Sequence, residues 1–278
     1  MKKSSQILRS QAKFLKYIPN FLTICNSLCG FAAMLLMVRT YQEGASAVLQ
    51  TCTIASIMIF SAMIFDVMDG LAARLLNAAS LHGIQMDSLS DMVTFGVTPA
   101  MMVAIICQGF LRWETATWQL VYIYLCCSIY LGCAALRLAT YNVRATLKTE
   151  NKEKSSDRFS GLPSPGAAAA ICVVLFCLWN KQHELSEHYR LIAWALPAYA
   201  AILGLLMTSS IPYIHAGKWL MSIRRNWRKL PLVAVMLAVV ICFQLPGLAF
   251  LTLGYIFSGP LLMLSEKLFR KNPAGSGK

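Results

Sequence analysis

Residues 66–91 read Asp66-Val-Met-Asp69-Gly70-Leu-Ala-Ala73-Arg74, then eight residues, then Gly83-Ile-Gln-Met-Asp87-Ser-Leu-Ser-Asp91. Four carboxylates and an arginine are gathered in a chain that is 57% hydrophobic and only 13% charged. Soluble domains carry about 25% charged residues, so the composition is that of a membrane protein. Ionisable groups near the hydrocarbon are costly and stand there for function. Their spacing is informative. Asp66 and Asp69 are three apart and share one helical face, and Asp87 and Asp91, four apart, share a face of the next helix. Gly83 lies one turn before Asp87 on the same stripe. The eight residues after Arg74 let the chain turn and bring the two pairs together.

Four carboxylates at close quarters cannot all ionise unless a cation lies between them. All-oxygen ligation suits hard ions, so the expected cofactors are two divalent cations, Mg2+ or Mn2+, with Ca2+ also compatible. Two such ions between two helices would clamp a phosphate or diphosphate. Gly70 and Ala73 leave room for a ligand at the backbone, and Arg74 offers planar bidentate donors to phosphate oxygens.

Outward from this stretch, eight apolar runs cover roughly 21–38, 46–66, 90–110, 117–138, 163–179, 191–208, 230–244 and 247–265. Most have the length a spanning helix needs, and 230–244 is short. The predicted fold is therefore all-α: a polytopic membrane helix bundle of about eight transmembrane helices. The second run is expected to continue as helix past the membrane surface, carrying Asp66 to Arg74. Gly96 and Pro99 interrupt the third run, a kink that neighbouring helices can cover.

The net charge is +13, but its basic residues stand at the ends of apolar runs. That distribution indicates membrane orientation and anionic headgroups, not nucleic acid. Of 25 Lys and Arg residues, 21 fall on the side holding both termini, Arg74, Arg137 and the 142–162 and 210–229 loops. Arg39, Arg112, Lys181 and Arg190 fall on the other. Both termini and the aspartates are thus expected in the cytoplasm, in a multi-pass protein of the cytoplasmic (inner) membrane. The ten cysteines lie in apolar runs without a CxxC pair, and behave there as small hydrophobes.

Asp66, Asp69, Gly70, Ala73, Arg74, Gly83, Asp87 and Asp91 occupy every fixed position of the pattern DxxDGxxARx8GxxxDxxxD. On these residues the chain resembles the CDP-alcohol phosphatidyltransferases, integral membrane enzymes that transfer a phosphatidyl or similar group from a CDP-linked donor to an alcohol and release CMP. Four further stretches are similar to the phosphatidylserine synthase branch: Ile18-Pro19-Asn20-Phe-Leu-Thr23, Asp87 to Ala100, Leu136-Arg137-Leu-Ala-Thr-Tyr-Asn142, and Phe159-Ser-Gly161-Leu-Pro163-Ser164-Pro165. The resemblance implies CDP-diacylglycerol and L-serine as substrates. It implies that Asp66, Asp69 and Asp87 ligate the metals, and that Asp91 joins them while acting as general base. Gly70, Ala73, Arg74, Ser80 and Gly83 would line the donor, and Asn20 and Thr23 its nucleotide end. Arg137 and Asn142 would meet the serine. The partners are then these substrates and membrane lipids, with a homodimer compatible.

The expected organisation is a basic amphipathic N-terminal segment (1–20), a catalytic membrane domain (21–215), a basic loop with two additional transmembrane helices (216–266) and a disordered basic tail (267–278). Two other readings stay open. One is a phosphatidyltransferase with another acceptor, such as glycerol 3-phosphate or an inositol phosphate, which would need a dedicated basic pocket. The other is a divalent-cation transporter using the same carboxylates, which would need polar groups through the membrane midplane.

Overall fold

The computed structural model describes residues 17–41, 45–76, 80–111, 116–150, 161–180, 189–211, 213, 251–260 and 263. All regular structure among them is helical. In chain order the helices are α1 (Ile18–Thr40), α2 (Ala45–Leu75), α3 (Leu81–Asp91), a π-helical segment (Met92–Val97), α4 (Thr98–Leu111), α5 (Thr117–Glu150), α6 (Ser164–Asn180) and α7 (Tyr189–Thr208). Residues 251–260 are also helical. Five continuous helices are long and apolar enough to cross a membrane, with α3, the π segment and α4 counting as one, and α6 is a shorter apolar helix. The N-terminal segment before residue 17, the middle of the 142–162 loop, the 210–229 loop beyond 213, the 230–244 run and the tail lie outside the described residues.

Lipid supplies no hydrogen-bond partners, so a spanning backbone must satisfy itself as helix. The burial pattern is that of a chain folded for lipid. On α1 the outward residues are Phe21, Ile24, Leu28, Phe31, Leu35 and Val38. Its inward residues include Thr23, Asn26, Gly30 and Ala33. Small and polar groups face the bundle and large apolar ones face out, as helices packed in a bilayer require.

Helix lengths place the acidic pairs. A hydrocarbon core of about 30 Å takes ~20 helical residues. Counted from the far end of each helix, that span runs from Ala45 to about Phe65 on α2, from Leu111 back to about Met92, and from Thr117 to about Arg137 on α5. Asp66, Asp91 and Arg137 therefore arrive at one level, the same edge of the membrane. At the opposite edge Tyr41 donates to Gln108 Oε1 (2.9 Å), and Gln108 Nε2 donates to the Tyr124 hydroxyl (3.0 Å). Trp118, Tyr122 and Trp194 stack nearby on α5 and α7. Such amphipathic rings favour an interface.

The expected interruption at Gly96 and Pro99 is a π turn, and hydroxyls reach two of its carbonyls. The Thr98 backbone N–H and hydroxyl both reach the Val93 carbonyl. Pro99 has no N–H for the carbonyl four residues earlier, and Tyr130 donates its hydroxyl to that Phe95 oxygen at 2.8 Å. The π segment packs on helices all round it. Its approach to α1 is close enough that a Cβ on Gly30 would stand 2.9 Å from Thr94 Cα. Serine and threonine hydroxyls fasten α1 to α3, the π segment and α4 in turn: Ser90 to the Thr23 carbonyl (2.9 Å), Thr94 to that of Asn26 (3.0 Å) and Thr98 to that of Gly30 (3.2 Å). The nine described cysteines are all free, as expected of small hydrophobes in an apolar core.

Candidate active site

α1 forms the floor of the site. α2 packs along α1, and α3 packs on α1 and α5 but not closely on α2. The two acidic helices thus stand apart over α1, and the carboxylates face one another across the gap. Asp66, Asp69 and Asp87 each offer an oxygen within 4.8 Å of the others. Ligands on opposite sides of a hard cation stand about 4–5 Å apart, so the trio can hold a divalent ion. Asp87 Oδ1 is buried without a hydrogen-bond partner among the described residues, as fits an oxygen meant for a cation. Asp69 is buried, and Thr23 Oγ1 lies 2.7 Å from its Oδ2.

Asp91 lies close to all three and turns one oxygen toward α1. Its Oδ1 lies 3.3 Å from the amide nitrogen of Asn26. Asn26 is fully buried in α1, and its contact with Asp91 was not anticipated from the sequence. The available signal was a carboxamide in the apolar first helix, one turn after Thr23.

Of the predicted donor-side residues, Asn20, Ser80 and Gly83 meet where α1 and α3 begin, and Gly70, Ala73 and Arg74 lie on the last turns of α2. Ser80 caps α3 by accepting the Gly83 N–H (3.0 Å), satisfying one of the open amides of the first turn. A Cβ on Gly83 would lie 3.6 Å from Asn20 Oδ1, so Asn20, Ser80 and Gly83 form one corner. At Gly70 a Cβ would meet nothing within 4 Å. Packing among the described residues therefore does not require glycine there. Ala73 is half-buried and Arg74 exposed in the last turn of α2.

The predicted acceptor-side residues lie on α5. Arg137 donates through Nη1 to Ser164 Oγ (3.0 Å), and its Nε is buried without a partner among the described residues. Asn142 sits against α3, with its Oδ1 2.7 Å from the Ser88 hydroxyl and its Nδ2 3.4 Å from Gln85 Oε1. Ser164 opens α6 and is held by the turn before it. Gly161 has φ +94°, and its N–H donates to the Ile211 carbonyl (2.8 Å), as that of Leu162 does to Leu206 (3.0 Å). A side chain at Gly161 would strike the Met207 carbonyl. The glycine and prolines of 159–165 thus set the wall behind Arg137.

The fold and this site define a class: a polytopic helical membrane protein with a carboxylate cluster at one end of its bundle, able to hold a cation beside basic groups. Residues 16–208 match the model of the CDP-alcohol phosphatidyltransferase family, and the chain belongs to that family. It is therefore an integral membrane transferase of phospholipid biosynthesis. Among curated proteins it is 33% identical over 205 residues to the CDP-diacylglycerol–serine O-phosphatidyltransferase of Bacillus subtilis, covering 73% of this chain and 93% of that enzyme. It is 30% identical over 219 residues to the enzyme of that name from Helicobacter pylori, covering 77% of this chain and 83% of the other. An archaetidylserine synthase from Methanothermobacter thermautotrophicus is 29% identical over 198 residues, covering 70% of this chain and 69% of its own.

Proposed function

We propose that the protein transfers the phosphatidyl group of CDP-diacylglycerol to L-serine, giving phosphatidylserine and CMP. The observation that carries this reading is the pairing of a cation-ready trio, Asp66, Asp69 and Asp87, with a partly buried arginine on the neighbouring α5. The serine acceptor is supported by the names of the bacterial relatives and by Arg137, a cation suited to a carboxylate.

Asp66, Asp69 and Asp87 would hold divalent cations, Mg2+ or Mn2+, which when bound neutralise the diphosphate and the departing CMP. Asn20, Ser80 and Gly83 line the nucleotide corner, with Thr23 beside Asp69. Gly70 admits the donor to the backbone of α2, and Arg74 offers its fork to phosphate oxygens. Asp91 accepts the proton of the serine hydroxyl as that oxygen bonds to the β-phosphorus. The bond from that phosphorus to the bridging oxygen breaks, and CMP leaves with the electron pair. Arg137 holds the serine carboxylate. The acyl tails stay in the bilayer, and the site faces the cytoplasm, where CDP-linked donors and serine are found.

The test is an assay of purified protein with CDP-diacylglycerol and labelled serine, glycerol 3-phosphate, inositol phosphate or no acceptor. Serine alone is expected to give labelled lipid and stoichiometric CMP. Excess chelator is expected to abolish turnover, and Mg2+ or Mn2+ to restore it. Product from glycerol 3-phosphate would move the protein to another branch. Uptake of Mn2+ into vesicles without CMP release would favour transport, and full activity in excess chelator would exclude the metal reading.

A further inference from the structure

Asn26 is fully buried in α1, about two turns inside its start. An amide in an apolar bundle is retained against its desolvation cost, so its contacts show what it does. Its Nδ2 lies 3.3 Å from Asp91 Oδ1. The orientation of the amide follows from chemistry: a carboxylate only accepts, so nitrogen must face it. Asn26 Oδ1 consequently points elsewhere and meets no donor among the described residues. Leaving a buried carbonyl unpaired is unfavourable. An apolar side chain of the same size would avoid that penalty, so stability alone does not account for an asparagine here.

Three hydroxyl clamps fix the meeting of Asn26 with Asp91. Ser90, Thr94 and Thr98 reach the carbonyls of Thr23, Asn26 and Gly30. They lock the register of α1 against α3, the π segment and α4 over two turns. With this register held, the Asn26 amide is placed beside residue 91. We propose that Asn26 is the positioning residue of Asp91. Its amide engages Oδ1 and leaves Oδ2 as the oxygen that takes the acceptor's proton. This inference rests on the reading of Asp91 as general base.

The experiment compares Asn26→Leu, Asn26→Ser, Thr94→Val and Asp91→Asn in purified full-length protein. It measures kcat, the KM for serine, CDP-diacylglycerol binding and thermal unfolding. Asn26→Leu and Asn26→Ser are expected to lose about 10- to 100-fold in kcat, the range for removing a group that orients a functional side chain. Donor binding should stay within about threefold, and Asn26→Leu should unfold within a few degrees of the parent. Thr94→Val loses one of the three clamps but keeps the amide, so it should unfold earlier and lose less kcat than either Asn26 variant. Should Asn26→Leu fail to fold, Asn26→Ser supplies the kinetic comparison. A parental kcat in both Asn26 variants overturns the inference, as does a loss of donor binding that matches the loss of kcat. Asp91→Asn separates the two levels. If it turns over normally, the base reading itself fails. If it is inactive while the Asn26 variants are parental, only the positioning role fails.

Discussion

Arg137 has both a bland role and a chemical one. An arginine at the membrane edge can anchor to headgroups with its stem along apolar surface. Here the guanidinium turns inward instead, to Ser164 at the start of α6. A charge-assisted contact to a carboxylate contributes about 1.5–3 kcal/mol. Arg137→Ala is therefore expected to raise the serine KM roughly 10- to 100-fold, with little change in the KM for CDP-diacylglycerol. Arg137→Lys should recover part of the loss, because an ammonium lacks the bidentate fork. Kinetics on quantified, purified protein decide the matter. An unchanged serine KM with less protein in the membrane would leave Arg137 as an anchor. At this scale part of the arrangement was legible in advance: Asp66, Asp69 and Asp87 do converge, whereas the contact of Thr23 with Asp69 was not foreseen. Nor was that of Asn26, because one amide in an apolar helix shows no periodicity and acquires meaning only from what lies across from it.

Among the elements, the π segment organises the helices around the site. It lies between α3 and α4, and α1 approaches it across Gly30. A Cβ on Gly30 would meet Thr94 Oγ1 at 2.6 Å and the Thr94 backbone at 2.9 Å. Overpacking of this kind costs about 1–3 kcal/mol. Gly30→Ala is expected to lower the unfolding temperature, and to lower kcat too, because Asp91 is one turn from Thr94. Gly132→Ala is the control: its Cβ meets nothing within 4 Å, and it should leave both unchanged. Thermal unfolding and turnover of the two variants check this, and equal behaviour would show that the α1 contact is compliant. Gly96 and Pro99 were readable as an interruption. That the chain would pass through it as a π turn depended on Tyr130, 35 positions away, reaching the Phe95 carbonyl.

For the whole molecule, the helices supply a level and the basic residues a direction. Asp66, Asp91 and Arg137 sit at one edge of the bundle, opposite the aromatic cluster of α5 and α7. Under the proposed function that edge faces the cytoplasm, the side on which the positive residues gather. In a background lacking the ten native cysteines, Gln182→Cys is expected to react with an impermeant thiol reagent on intact cells. Lys152→Cys should react only after permeabilisation. The reverse pattern would invert the orientation. The C-terminal stretch beyond the family's match is tied to the bundle. Tyr213 donates to the Ile256 carbonyl (3.0 Å), its ring stands over Gly259, and Tyr255 packs near Gly166 of α6. The apolar runs announced this helix, but not its place behind the wall that holds Ser164.

By itself the sequence determined the membrane class, the helices, the acidic pairs and the family pattern. These follow from composition and from spacings of three and four, which are local properties of one chain in lipid. The tertiary structure decided which faces meet: the gap between α2 and α3 over α1, the turn of Asp91 toward Asn26, and the partners of Asn26, Ser88 and Ser164. Those contacts join residues up to 68 positions apart. They depend on how helices of nearly uniform apolar surface choose crossing points. That choice is made by glycines where backbones nearly touch and by hydroxyls that find a carbonyl on the neighbouring helix.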